Sequence, residues 1–211
     1  MSNSNEGPLQ KARKTAYRQF IVEAAEKVFA ERGFEAAKIQ DIADEAGVSV
    51  GTIYGVFGSK SELFGVVLTH RLPELANRCR ETAISATTSL DRLTNGLNAY
   101  IIYLLEHPHF LKLHLREHSW GLGPIRATTE QLRAWREGLE LEAAILKEAI
   151  EDGVVIEEDP HRLARCIMAV HQVQLWDWIE NDASEPIDQV AARIDRLFRQ
   201  MFCSEKTPRD S

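Results

Sequence analysis

Cysteine is scarce in this sequence, and long apolar runs are missing altogether. Cys79, Cys166 and Cys203 are odd in number, widely spaced and lack a Cys-x-x-Cys pair. Buried free thiols are therefore expected, and a redox switch has no support. Apolar stretches such as Ala99 to Leu105 fall far short of the ~20 residues a membrane helix needs. The start, Met1 to Pro8, is polar and has no apolar signal segment. A cytoplasmic chain with no membrane partner is the expectation. Period-2 alternation, internal repeats and low-complexity segments are also missing, so no sheet is expected. No nucleophile–base motif and no glycine-rich phosphate loop is present; an enzyme is not expected, nor is a cofactor.

Positive charge is in deficit too. The chain carries 25 Lys and Arg against 32 Asp and Glu, a net charge of −7. Taken whole, that argues against a nucleic-acid partner. The distribution reverses the inference, because residues 1–60 hold 8 of each sign and the whole deficit lies in 61–211. Lys11, Arg13, Lys14 and Arg18 oppose only Glu6 in the first twenty residues. A local basic arm can meet phosphates on an acidic protein, since charges are screened beyond roughly 10 Å.

What is present is helical periodicity with sharp punctuation. Residues 1–14 read as a mobile arm. A helix from Thr15 places Phe20, Ile21, Ala24, Ala25, Val28 and Phe29 on one face and stops at Gly33-Phe34, with Gly33 in a left-handed turn. Ile39, Ile42, Ala43 and Ala46 follow at i, i+3, i+4 and i+7. Gly47 suits a positive-φ stop, Val48 can pack back, and Ser49 offers an N-cap oxygen to a second short helix with Ile53 and Phe57 inward. Two short helices joined by a three-residue glycine turn are the signature of a helix-turn-helix. Ser59-Lys60-Ser61-Glu62 is a capping box that starts the next helix, which runs to a kink or break at Pro73.

The rest is helical in pattern: Leu90 to Glu106, Pro108 to His118, Ile125 to Asp152, Asp159-Pro160 to Glu180, and Pro186 to Phe202. The tail, 204–211, is polar. The fold class is thus all-α: a helix-turn-helix domain at 15–60 and a helical bundle at 61–203. The two C-terminal helices carry more apolar surface than one partner covers. They suggest a homodimer interface through Val170, Val173, Ile194, Leu197, Phe198 and Met201, or else an ordinary bundle core.

These residues resemble the TetR family of bacterial transcription regulators. The matching pattern is Arg32-Gly33-Phe34, Ile39-x-x-Ile42-Ala43-x-x-Ala46-Gly47-Val48-Ser49-x-Gly51-Thr52-Ile53-Tyr54-x-x-Phe57 and Ser59-Lys60-x-x-Leu63-Phe64, over roughly Thr15 to Leu68. The resemblance implies a dimeric, ligand-responsive repressor bound to a palindromic double-stranded DNA operator and released by a small-molecule effector. It places Ser49, Val50, Gly51, Thr52 and Tyr54 against DNA, with Gln40 and Lys38 on the supporting helix and Lys60 as a phosphate clamp. Ala37-Lys38 replaces the family's usual hydroxyl cap, and Gly55-Val56 replaces aromatic or His residues. Methyl and backbone-positioning contacts are therefore expected to matter more.

Two constellations remain. His107, His109, His114 and His118 lie close together, with His114 and His118 at i, i+4. A metal-responsive regulator is the alternative they raise. Surface or structural histidines are the expectation, and no metal site is assigned. Tyr100, Tyr103, Phe110, His114, Trp120, Trp135, His171 and Trp176 are candidates to line an effector pocket, or to fill the core.

Overall fold

The computed structural model describes residues 8–117 and 129–204 of the chain. Among them are ten helices and no strand; a single bridge pairs Val155 with Cys203. None of these helices is long and apolar enough to cross a membrane. The chain forms two compact units, Met1–His70 and Arg71–Ser211.

The first unit contains α1 (Pro8–Ala36), α2 (Ile39–Ala46), α3 (Val50–Val56) and α4 (Lys60–Thr69). Among the described residues helical backbone runs from Pro8 rather than Thr15, so half of the expected arm 1–14 is helix; proline tolerates the first turn because its missing N–H has no helical partner there. Gly33 interrupts α1 with φ 75° and ψ 167°. Phe34 then folds back on Phe64 and Phe29, with ring centroids at 4.8 and 6.0 Å, while Phe29 meets Phe64 edge-on at 4.9 Å. Ile21, Ala25 and Phe29 are fully buried on the inner face of α1, joined by Ile42 of α2, Ile53 of α3 and Leu63 of α4. Phe20, expected on that face, is 62% exposed; it lies one position ahead of Ile21, at the edge of the stripe. Because α4 packs on α1, the unit closes at His70, ten residues beyond the expected boundary at 60/61.

The second unit contains α5 (Leu72–Ile84), α6 (Ser89–Glu106), α7 (Pro108–Glu117), α8 (Thr129–Glu151), α9 (Pro160–Glu180) and α10 (Ile187–Phe202). Of the kink or break expected at Pro73 the chain takes the break: α4 stops at Thr69 and α5 starts at Leu72, with Pro73 in the first turn where it breaks no hydrogen bond. Thr88 and Asp159 cap α6 and α9 by accepting from the amides of Asp91 and Arg162. One apolar cluster joins Leu75, Tyr103, Leu104, Phe110, Leu175 and Ile194; a second joins Leu93, Leu146, Leu163, Ile167, Phe198 and Phe202. The loop after α8 is tied to the end of α10 by Ile156 N–H to the Phe202 carbonyl (2.9 Å) and Ser204 N–H to the Val154 carbonyl (3.1 Å).

This packing corrects part of the expected dimer surface. Ile194 and Phe198 are 1% and 2% exposed and belong to the two clusters. The stripe that repeats along α10 is covered by the chain itself. Val173 and Met201 are the outward residues at 45% and 48%, with Val170 and Leu197 half-buried. Of the cysteines, Cys79 and Cys203 are half-buried and Cys166 is exposed, contrary to the expectation of three buried thiols; all three are free.

Candidate nucleic-acid interface and interior polar site

The turn between α2 and α3 is built from backbone terms that the residues dictate. Gly47 takes φ 65°, ψ 32°, a conformation that costs an L side chain. Its N–H donates to the Asp44 carbonyl (3.3 Å) and the Val48 N–H to the Ala43 carbonyl (3.0 Å), the paired bonds of a Schellman stop. Ser49 Oγ accepts the Thr52 N–H at 3.0 Å and lies 2.8 Å from Thr52 Oγ1. Ser49 thus holds the start of α3, and Thr52 shares its hydroxyl with the cap. Ile53 and Phe57 point inward; Gly51 and Tyr54 are exposed, Val50 and Thr52 half-buried. On this face of α3 Gly51 and Tyr54 are exposed, with Thr52 half-buried beside them.

The supporting residues are less free than the spacing implies. Gln40 Nε2 donates to Asp44 Oδ1 at 2.8 Å along α2. Lys38 is exposed and occupies the N-cap without an acceptor; Asp41 compensates by accepting the Lys38 N–H at 3.0 Å while pairing with Arg32 at 2.7 Å. Lys60 turns back along the unit, its ammonium 3.3 Å from the Glu35 carbonyl and 4.6 Å above the Phe34 ring. A phosphate would have to take a remaining ammonium donor. In the capping box, Ser59 Oγ accepts the Glu62 N–H (3.1 Å), but Glu62 reaches Gly58 N–H (2.9 Å) rather than Ser59 N–H. Arg18, unsignalled by any motif, lies 4.6 Å over the Phe57 ring and clips α1 to the end of α3.

In the second unit the aromatic candidates separate. Tyr103 is fully buried, its hydroxyl donating to Glu74 at 2.9 Å and its ring 4.3 Å from His107; Phe110 is 1% exposed in the apolar cluster. Both serve the core. Trp176 packs half-buried against the same cluster. Tyr100 and His114 are brought together, hydroxyl to Nε2 at 2.8 Å. His171 is 3% exposed, and burial holds its pKa down at about 4, so the ring is neutral. Trp120 and His118 lie outside the described residues. His107 meets the Tyr103 carbonyl through Nδ1 at 2.8 Å, and His109 is exposed. Among the described residues no three His, Cys, Asp or Glu converge as a metal site, so the metal-responsive alternative gains nothing from the geometry.

The residue missed from sequence is Glu142. Burial pushes its carboxyl up to about 8, and Oε1 is enclosed with no hydrogen-bond partner. It lies near enough to Tyr100 and Cys79 to push both upward, adding to their burial; Cys79 reaches about 11. Trp135 Nε1 on the same helix is also enclosed and unpaired. The signal was available: the stripe Leu132, Trp135, Leu139, Glu142, Leu146 and Ile150 has one charged member.

Comparison with known proteins matches this architecture. The family model for "Bacterial regulatory proteins, tetR family" fits residues 21–67, from the inner part of α1 to α4. The HTH-type transcriptional repressor KstR2 of Mycolicibacterium smegmatis is 29% identical over 143 residues, 64% of this chain and 66% of that protein. The Mycobacterium tuberculosis KstR2 aligns over 44% of its length at 38% identity. The chain thus spans less than two thirds of these curated relatives. The solved structure of "ketosteroid transcriptional regulator KstR2" of Mycobacterium tuberculosis superposes with a TM-score of 0.73 at 24% identity, over 89% of this chain and 95% of that one. FadR from Bacillus subtilis, solved in complex with stearoyl-CoA, gives 0.65 at 23%, over 85% and 96%. At these identities the two structures speak for the fold. Residues 21–67 thus match the tetR family of bacterial regulatory proteins, and the helical layout of the chain is that of the solved regulators.

Proposed function

We propose that the protein is a ligand-responsive transcriptional repressor. It acts in the cytoplasm as a homodimer on a near-palindromic double-stranded DNA operator, and a small-molecule effector held in the second unit releases it. The observation that carries this is the α3 face with Gly51 and Tyr54 exposed and Thr52 half-buried between them, held by the Gly47 stop and Ser49 cap. Two such helices about 34 Å apart enter successive major grooves. The repressor names of the KstR2 relatives support the sign of regulation. Those of the solved neighbours, one a ketosteroid regulator and one bound to stearoyl-CoA, support a large effector with an extended apolar part. Release requires an effector that binds the two states unequally; a swing from 1:99 to 99:1 takes ~5.5 kcal/mol.

A mobility-shift titration on DNA selected from a random pool tests the DNA face. Tyr54→Ala is expected to lower affinity about tenfold, with folding stability within ~0.5 kcal/mol of wild type because the side chain is exposed. Lys60→Ala should cut the salt slope by about 1, if its ammonium leaves the Glu35 carbonyl for a phosphate. Unchanged affinity and slope in both variants sinks the assignment.

The dimer surface is tested through the outward residues. Val173→Glu with Met201→Glu should yield folded monomers in sedimentation, since both are exposed within one protomer. Persisting dimers would move the interface elsewhere. Phe198 is no longer a useful target, because glutamate there would disrupt the core.

A further inference from the structure

We propose that Glu142 and Trp135 are the polar contacts of the effector site, and that the effector is an elongated apolar molecule with a hydrogen-bond donor at one end and an acceptor at the other. The proposal rests on the ligand-responsive function argued above and names the ligand class for it. Enclosed polar atoms in native proteins are nearly always paired, and leaving one unpaired costs about as much as losing a hydrogen bond outright. Here two lie on one stripe of α8: the indole N–H of Trp135, which can only donate, and the carboxyl Oε1 of Glu142, which can accept. They are seven residues apart, two helical turns or about 10 Å along the axis. One small group cannot serve both, whereas a rigid molecule with a carbonyl for the indole and a hydroxyl for the carboxyl can.

The surroundings narrow the class further. Tyr100 and Cys79 adjoin Glu142, and the Tyr100 hydroxyl is already engaged with His114. The guanidinium nearest Cys79, that of Arg78, is held by both oxygens of Glu106 at 2.5 and 3.3 Å. An anionic ligand head at Glu142 would therefore meet a carboxyl, and the Arg78 guanidinium is already taken. With its pKa raised to about 8, the Glu142 carboxyl is mostly protonated at pH 7 and can donate as well as accept; at pH 9 it is mostly ionised and only accepts, so the discrimination between hydroxyl and ketone is read at pH 9.

The test is calorimetric titration of the full chain with three probes: testosterone, a fused-ring hydroxy-ketone; androstenedione, with a ketone in place of that hydroxyl; and stearoyl-CoA. Testosterone is expected to bind, and androstenedione to bind 10- to 100-fold more weakly, as for one unpaired buried group. Trp135→Phe and Glu142→Leu should each weaken testosterone by the same factor, Glu142→Leu should leave androstenedione unchanged, and Glu142→Gln, which keeps an acceptor, should restore testosterone. The melting temperature of the unliganded variants should be equal to or above wild type. No binding of testosterone, equal binding by the variants, or a lower melting temperature in both Trp135→Phe and Glu142→Gln overturns the proposal. Should testosterone fail while stearoyl-CoA releases DNA, the ligand-responsive function stands without this site. Should testosterone bind as described yet leave DNA affinity unchanged, the site stands and the regulatory function falls.

Discussion

Phe57→Ala is expected to destabilise the first unit by about 3–5 kcal/mol and to abolish DNA binding with it. The ring is fully buried, and the Phe57 N–H closes α3 on the Ile53 carbonyl at 2.8 Å. The Arg18 guanidinium covers the ring at 4.6 Å, so truncation also frees α1 from the end of α3. With 8 and 7 residues, α2 and α3 are too short to be stable alone, since isolated helices below ~12 residues are marginal. Their order comes from packing on α1 and α4. A domain's whole stability is roughly 5–15 kcal/mol, so this one ring holds a large share. Urea unfolding of the full chain, followed by circular dichroism beside the mobility shift, checks it. The contrast with Tyr54→Ala is diagnostic, because that change removes DNA contacts from a unit that stays folded. A Phe57→Ala protein with wild-type unfolding would show that α3 is positioned by something other than its buried face.

Stability of the second unit should be level between about pH 4.5 and 6.5 as far as Glu142 and His171 are concerned, and should fall by about 1 kcal/mol between pH 6.5 and 8. The folded pKa of Glu142 is raised from 4.5 to about 8. Between those values the folded state keeps a proton that the unfolded chain releases, so stability drops as pH rises and the penalty is complete above 8. His171 is lowered from 6.5 to about 4. Between those values the unfolded chain binds a proton that the folded state refuses, so stability drops as pH falls. From 4.5 to 6.5 the two slopes oppose each other; above 6.5 only the carboxyl titrates. Glu142→Gln should remove the alkaline fall and leave acid sensitivity in place, and His171→Gln should do the reverse. Denaturant unfolding at a series of pH values measures both, and a Glu142→Gln curve that still falls from 6.5 to 8 like wild type would refute the assignment.

The helix-turn-helix was legible because its determinants are local. Gly33 and Gly47 stand where the backbone turns to positive φ, Ser49 and Ser59 stand where a helix start needs an acceptor, and Ile53 and Phe57 keep one face inward. Each is set by neighbours within about four residues, and that is the range over which capping and periodicity act. The all-helical class and the Asp159-Pro160 start of α9 follow for the same reason.

Tertiary structure decided what depended on distant partners. Periodicity identified the stripe on α10, but only packing shows that Ile194 and Phe198 are covered by their own chain while Val173 and Met201 face out. A stripe looks the same whether its cover is the same protomer or another. Lys60 read as a free cation, yet it is engaged by Glu35 and Phe34 across the unit. Tyr103 read as either a pocket or a core group, and packing makes it a core residue satisfied by Glu74, 29 positions away. Glu142 stood in the sequence as one acid among 32. That its Oε1 lacks a partner is a property of the enclosing helices, because hydrogen-bond satisfaction and desolvation are set by which atoms surround a group in space.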